Sequence, residues 1–353
     1  MSSIQASASP KASRLLLPIL FVALLLMFLL NLSLGSVSIP IEQVFKFLTT
    51  GMTDQSSWTV ILYHFRLPKA LTALLVGGAL GLSGLQMQTL FRNPLAGPYV
   101  LGISSGAGLG VALAIFIGFA AGGFVDLSGI GRSWLLVVSG AGGAGFVFII
   151  VMLAAKRLHD SISLLIVGLM FGAASGAIVS ILQFFSQAEN IQAYVFWSFG
   201  SLGNLSWDEL TVFIPIIAVT MIGSLLISKP LNALLLGENY AKSLGVNLRQ
   251  TRFLIILHTT LLAGTVTAFC GPIGFFGIAM PHIARMIFNT TNHLVLSPAI
   301  ILAGGILMLL FDTIAQLPGA DATLPINAIT AILGAPFVIY LILRKKSLNY
   351  SYR

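Results

Sequence analysis

Ten apolar stretches, each near the length a helix needs to cross a bilayer, divide this chain from end to end, and nothing else constrains its fold as much. A spanning helix takes about 20 mostly apolar residues, and such runs lie at roughly 15–35, 68–90, 98–121, 134–155, 162–185, 209–228, 253–270, 273–288, 295–317 and 325–343. The eighth is short and interrupted by Gly and Pro. Between the fifth and sixth, residues 186–206 are semi-polar (Gln187, Glu189, Asn190 and Gln192, then Trp197 and, just beyond, Trp207) and read as an interfacial segment with a short helix. Charged residues make up only 8% of the 353, against roughly 25% in soluble domains, so a water-soluble globule of this size is excluded. The expected fold is an all-α polytopic membrane protein, one transmembrane unit over residues 1–353. Cys270 is the single cysteine, which rules out an intramolecular disulfide and a Cys-based metal cluster.

The net charge of +8 would suggest a nucleic-acid partner in a soluble protein. Here it reports topology. The first apolar run follows Lys11 and Arg14, is longer than a signal-peptide core, and ends at Leu34-Gly35-Ser36-Val37 without a clean small-x-small cleavage site. It reads as a retained span with the 1–14 tail in the cytoplasm, and an even number of spans then returns the C-terminus to the same side. With that orientation fourteen of the 18 basic residues lie inside: Lys11, Arg14, Arg92, Lys156, Arg157, Lys229, Lys242, Arg249, Arg252, Arg285, Arg344, Lys345, Lys346 and Arg353. Lys46, Arg66, Lys69 and Arg132 remain outside, along with the acids Glu42, Asp54, Asp126, Glu189, Asp208, Glu209 and Asp321. The opposite orientation would violate the positive-inside bias, and no nucleic-acid partner is implied. The longest inside loop is residues 229–252 and the longest outside connection is 36–67, neither able to hold a catalytic domain.

Glycines cluster as Gly77-Gly78, Gly81 and Gly84, then Gly102, Gly106, Gly108 and Gly110, then Gly140, Gly142, Gly143 and Gly145. Small residues at such spacing let membrane helices approach closely, which serves tight packing and a moving interface alike. Two segments are more specific. Arg92-Asn93-Pro94-Leu95-Ala96-Gly97-Pro98 reads as a rigid inside turn, with Pro98 near the first turn of the third span, where its missing N–H costs nothing. Cys270-Gly271-Pro272-Ile273-Gly274-Phe275, running on to Pro281-His282 and Arg285, breaks a hydrophobic run repeatedly. Broken backbone at membrane depth is tolerated only where protein or a watery cavity satisfies it, and points to a transport pathway. The two segments also sit in a matching order. Arg66-x-x-Lys69 precedes Gly97-Pro98, and Arg249-x-x-Arg252 precedes Gly271-Pro272, with opposite membrane orientation. This predicts inverted repeats of about four spans each, the second to fifth and the seventh to tenth.

Asp312 is the ionisable residue set late in the ninth span. It is either functional, as intramembrane charges usually are, or an interfacial residue paired locally. The histidines His64, His159, His258, His282 and His293 show no ligand spacing, so His282 is expected to bond a backbone carbonyl rather than a metal. No Gly-x-Ser-x-Gly elbow, His-Glu-x-x-His or P-loop is present, so the chain carries no P-loop ATPase of its own and no cofactor is expected in it. The inside loop contains Gly237-Glu238-Asn239-Tyr240-Ala241-Lys242-Ser243-Leu244-Gly245-Val246. Glu238 and Lys242 have the i,i+4 spacing of a helical ion pair, and Ala241, Leu244 and Val246 offer an apolar patch. The patch fits either a docking knob for a cytoplasmic partner or a membrane-surface connector.

Together these segments resemble the FecCD/BtuC-like permease subunits of type II ABC importers, along essentially the whole chain. The resemblance rests on Arg66-Leu67-Pro68-Lys69, Gly77-Gly78-Ala79-Leu80-Gly81-Leu82-Ser83-Gly84 with Gln88, and Arg92-Asn93-Pro94-Leu95-Ala96. It continues through Leu101-Gly102-x-Ser104-x-Gly106-Ala107, Gly237-x3-Ala241-x2-Leu244-Gly245-Val246, Gly271-Pro272-Ile273-Gly274-Phe275 and Pro281-His282-x2-Arg285. Asp312, Leu324-Pro325 and Gly334-Ala335-Pro336 complete it. The resemblance implies a ten-span permease of the bacterial inner membrane, paired with a second copy or paralogue around the pathway. It implies two cytoplasmic ATPases, which bind ATP and Mg²⁺ and dock on the loop around Gly237–Val246. It also implies an extracytoplasmic binding protein whose carboxylates meet Arg66 and Lys69, and a ferric siderophore, haem or cobalamin as cargo. Three positions depart from the family pattern: Lys69 and Gln316 stand where relatives often have Arg, and Thr323 where they often have Glu. The expectation is that docking leans on Arg66. An ion-coupled secondary transporter would need paired intramembrane carboxylates, and an intramembrane enzyme convergent polar residues. Asp312 alone supplies neither.

Overall fold

The computed structural model describes residues 10–118, 130–158, 161–316 and 323–343. Most of the 1–14 tail, Asp126, His159, Asp321, the end of the expected third span at 119–121 and the basic cluster from Arg344 onward lie outside the described residues. Seven helices are long and apolar enough to cross a membrane, and three shorter apolar ones, Ile103–Ile117, Phe276–Phe288 and Ile326–Tyr340, fall where the remaining spans are expected. The described residues contain helix, turn and irregular backbone but no strand. This is the outcome hydrocarbon imposes on a chain that must satisfy its backbone polar groups without water.

In chain order the helices are α1 (Pro10–Ser33), α2 (Ile41–Thr50), α3 (Ser56–Ile61), α4 (Leu67–Phe91), α5 (Ile103–Leu113), α6 (Ile130–Arg157), α7 (Ser161–Phe184), α8 (Ala188–Ser198), α9 (Trp207–Leu226), α10 (Ser228–Leu235), α11 (Glu238–Ser243), α12 (Leu248–Cys270), α13 (Phe276–Phe288), α14 (His293–Ala315) and α15 (Ile326–Leu343). A π-helical turn, Leu62–Arg66, joins α3 to α4, and a 3₁₀ turn, Pro98–Leu101, leads into α5. The expected short interfacial helix in 186–206 is α8. Local sequence sets several starts. The Ser206 N–H donates to Glu209 Oε2 at 2.7 Å in a capping box that opens α9, and Asn247 Oδ1 accepts from the Gln250 N–H at 3.1 Å to open α12.

The third and eighth spans are shorter as helices than expected. The third becomes α-helical at Ile103 rather than 98, and the eighth at Phe276 rather than 273. In each, Gly and Pro keep the preceding residues out of α-helix, as a 3₁₀ turn before α5 and as irregular backbone before α13.

Two helices form the centre. The spanning windows of α4 and α12 are 83% and 72% buried, whereas α1 is 17% buried and turns most of its apolar surface outward. Around this pair the packing is reciprocal: α4 lies against α13 and α14, and α12 lies against α5 and α6. Likewise α5 packs on α6 and α7 as α13 packs on α14 and α15. Exchanging spans two to five for seven to ten therefore preserves the main contacts, as inverted repeats require. Glycine makes the closest crossings achievable. A methyl group added at Gly84 would lie 1.7 Å from the carbonyl oxygen of Gly277, and one at Gly77 2.1 Å from that of Gly304. The glycine clusters are thus contact faces of α4 with α13 and α14, and of α5 with α6 through Gly106 and Gly143.

Candidate functional site

Polar side chains gather at the two ends of the bundle and at one seam between them. At the first end, Arg66 takes its place from the π turn and points inward. Its Nη1 donates to Leu32 O at 2.5 Å and Ser33 O at 2.9 Å, and its Nη2 donates to Val37 O. These carbonyls end α1 and begin the loop after it, so Arg66 caps this helix C-terminus together with the Ile39 N–H, which donates to Ser33 O at 3.1 Å. At 7% exposure it is not the surface cation that its position in the sequence suggests. The guanidinium expected to meet a partner's carboxylate is engaged here in this internal cap.

Lys69, one turn further on, meets Asp312 with Nζ 3.0 Å from Oδ1. The carboxylate is 2% exposed and the lysine 18%. Asp312 also accepts from Asn31 Nδ2 at 3.0 Å and Gln316 Nε2 at 2.6 Å. Of its two sequence readings, the structure gives the locally paired one: Asp312 joins α1, α4 and α14 near their common end. Gln316, the departure from the family pattern, supplies a neutral donor to the same carboxylate. Beside the pair lies a cavity of about 160 Å³, lined by Lys69, Asp312, Gly200, Ser201, Thr323 and Leu324 among others. Of Arg66 and Lys69, it is thus Lys69 that borders this cavity.

The seam between the ends brings the two broken segments together. Arg92 closes α4 in the left-handed region (φ 48°), and Asn93 Oδ1 accepts from the Leu95 N–H at 2.9 Å to tighten the turn. His282 Nε2 donates to Pro94 O at 2.8 Å, Gly97 lies against Ile278, and Pro98 against Gly277. Tyr99 donates its hydroxyl to Ile273 O. Gly271 sits at φ 75° against Gly200, and the Gly274 N–H donates to Asn327 Oδ1 at 2.9 Å. The Ser201 N–H donates to Cys270 O at 2.8 Å. Arg285 Nη2 donates to Gln88 Oε1, and Gln88 Nε2 to Ile278 O at 3.2 Å. Pro272 removes a donor from the irregular backbone, whereas Pro281, inside α13, gives up the i→i−4 bond to Gly277. Protein therefore satisfies these backbone groups, and most of the residues form a buried joint rather than an open wall. Phe275 differs: it holds φ 62°, is 40% exposed, and lies against Gly334 of α15.

At the second end, α10 and α11 form the expected loop. Gly237 (φ 118°) and Gly245 (φ 80°) bracket α11 in conformations that L side chains resist. The apolar patch is composed differently from the expected one. Ala241 is fully buried and Val246 packs inward, whereas Leu236, Tyr240 and Leu244 face out. Glu238 bonds not to Lys242 but to Arg252 of α12, at 2.6 Å, although α11 spans both Glu238 and Lys242. Among the described residues no group of three or more His, Cys, Asp or Glu could hold a metal. Asn31, Asn232, His293 and Asn327 escaped sequence reasoning. Their only signal was a polar side chain set in or beside an apolar run.

The FecCD transport family model matches residues 23–344. The chain is 37% identical over 331 residues to the hemin transport system permease protein HmuU of Yersinia pestis, covering 93% of this chain and 97% of that protein. It is 38% identical over 285 residues to the vitamin B12 import system permease protein BtuC of Salmonella typhi, covering 81% and 84%. A solved structure described as a metal-chelate type ABC transporter in an inward-facing conformation matches with a TM-score of 0.81 and 31% identity, over 93% of this chain and 99% of that one. A bundle whose described residues hold ten apolar helices and no strand, a family match along nearly its whole length and a shared fold lead to one conclusion: the chain belongs to the FecCD transport family and is a permease subunit of an ABC importer.

Proposed function

We propose that this permease carries an iron chelate of the siderophore type across the bacterial inner membrane, with both termini in the cytoplasm. Two copies, or one copy and a paralogue, enclose the pathway. Two ATPase subunits, holding ATP and Mg²⁺, dock on α10–α11 through Leu236, Tyr240 and Leu244. A binding protein delivers the chelate at the Lys69 end, where an acidic side chain of the binding protein competes with Asp312 for Lys69. The observation that carries this reading is the match to importer permeases over 93% of the chain. The exposed apolar face of α11 and the cavity beside Lys69 support the two docking sites. A bundle whose buried charges are already paired or capped leaves little for a passing chelate to adhere to.

Haem is the second reading, favoured by the similarity to the Yersinia pestis hemin permease. The test is uptake into proteoliposomes holding the permease with its ATPase, given binding protein loaded with ferric siderophore, haem or cobalamin. ATP-dependent uptake of the siderophore complex, insensitive to proton and sodium ionophores, is the expected result. Uptake of haem alone moves the substrate to the second reading, and uptake driven by an ion gradient without ATP overturns the mechanism.

A further inference from the structure

One half-buried amide joins the segment expected to face the ATPase to the membrane helices. Asn232 lies on α10, and its Oδ1 accepts both from the backbone N–H of His293 at 2.8 Å and from the ring Nδ1 of His293 at 2.9 Å. Its Nδ2 donates to Asn292 Oδ1 at 2.8 Å, so both ends of the amide are spent on the first turn of α14. His293 is 1% exposed, and its other ring nitrogen, Nε2, faces Thr89 Oγ1 of α4 at 2.8 Å. One residue earlier on α4, Gln88 bonds to Ile278 and Arg285 of α13. Hydrogen bonds therefore run from α10 to α14, from α14 to α4, and from α4 to α13.

The remaining attachments of this segment are different in kind. Arg252 and Glu238 join α11 to α12 where both side chains reach solvent (22% and 38% exposed), and Arg92 Nη2 reaches Leu234 O at 3.3 Å. A pair open to water can exchange partners at little cost. His293 is itself almost fully buried, so its ring finds no substitute partner in water if Asn232 is displaced. When α10 moves, the Asn232–His293 contact must be carried along or broken, as must the apolar packing of Leu231 and Leu234 beside it. The helix it holds, α14, runs the length of the bundle. Its 23 residues span about 34 Å at 1.5 Å per residue, and its far end bears Asp312, which holds Lys69.

We infer that Asn232 is a positioning residue that, with His293 and Thr89, transmits displacement of α10–α11 to α14 and α4, so that the ATPase-facing end and the Lys69–Asp312 end move as one unit. The inference rests on the importer reading above. Spatial connection alone does not establish coupling, so the decisive quantity is a coupling ratio. Wild-type, Asn232→Ala, Asn232→Asp and Thr89→Val permeases are assembled with the ATPase in proteoliposomes, and ATP hydrolysed per chelate transported is measured together with the yield of assembled complex. Asn232→Ala is expected to raise the ratio about fivefold or more, the lower bound of typical coupling energies. Asn232→Asp, which keeps the oxygen acceptor for both His293 donors, restores most of it. Thr89→Val raises the ratio in the same direction and serves if Asn232→Ala does not assemble. A purely structural role would lower hydrolysis, transport and yield together with the ratio unchanged, and that result overturns the inference. A wild-type complex that shows no ATP-dependent uptake instead fails the importer reading itself.

Discussion

The ion pair between Lys69 and Asp312 gives the sharpest test of the energetics, because its two members differ in access to water. Replacing Lys69 with Met leaves a carboxylate that is 2% exposed, with only the neutral donors Asn31 and Gln316. Removing one partner of a buried pair costs ~3–5 kcal/mol, most of it the uncompensated charge that remains. Replacing Asp312 with Asn leaves an ammonium that is 18% exposed and borders a cavity of about 160 Å³. That charge can turn toward water, so its cost is that of an under-satisfied polar group, about 1–3 kcal/mol. The double variant, Lys69→Met with Asp312→Asn, removes both charges. It is expected to be more stable than Lys69→Met alone, with a coupling energy near 2–3 kcal/mol, at the upper end for residues in contact. The assay is a double-mutant cycle on the purified permease by denaturant titration, reading loss of helix packing. Additive single costs, or Asp312→Asn costing more than Lys69→Met, would show that the carboxylate is not held by the lysine and would refute the reasoning.

Arg66→Lys keeps a charge but cannot span three carbonyls. It should lose roughly 1.5–3 kcal/mol of stability, the worth of a hydrogen bond to a charged group, and binding-protein affinity should stay unchanged at temperatures where the fold holds. Lost affinity with unaltered melting would return Arg66 to the surface role. Gly84→Ala forces a methyl to within 1.7 Å of Gly277 O, so α4 and α13 must separate. The cost should reach or exceed the 1–3 kcal/mol of ordinary overpacking, visible as a lower melting temperature in detergent, whereas Gly142→Ala, which meets nothing within 4 Å, should melt like wild type. Gly245→Ala also meets nothing within 4 Å but sits at φ 80°. It should cost about 1–2 kcal/mol from backbone strain alone, and a bulkier residue there should lower transport per ATP through misplacement of α11. Transport at the wild-type rate would separate this turn from coupling.

The number and order of the membrane helices were legible because hydrocarbon leaves a chain few options, so apolar length alone carries the message. Composition also located the two irregular entries, since Gly271-Pro272 and Gly97-Pro98 cannot continue a helix. What each charge does was not legible. Arg66 and Lys69 have the same spacing and the same sign, yet one caps α1 and the other pairs with Asp312, because a π turn between α3 and α4 rotates Arg66 inward. No local pattern announces that turn. The patch on α11 failed for a related reason. A six-residue helix shows either side of itself depending on what it rests on, and Ala241 is drawn inward by the neighbouring core, exposing Tyr240 instead.

The distribution of hydrogen bonds bears on how such a bundle can move. Along the crossing of α4 with α14, Gly77 meets Gly304 backbone to backbone, a contact with little directional preference that tolerates small sliding. At the ends the contacts are directional: Asn232, His293 and Thr89 at one, Asn31, Lys69, Asp312 and Gln316 at the other. A helix pair joined by smooth contact in its middle and pinned at both termini responds to a force at one terminus as a rigid body, because bending would strip the buried His293 and Asp312 of their directional bonds. Changing a glycine in the middle should therefore alter stability more than coupling, and changing a polar residue at either end should alter coupling more than its share of the stability. If variants at Gly77 and at Asn232 shifted both quantities in the same proportion, motion would be spread through the bundle and the end-pinned picture would fail.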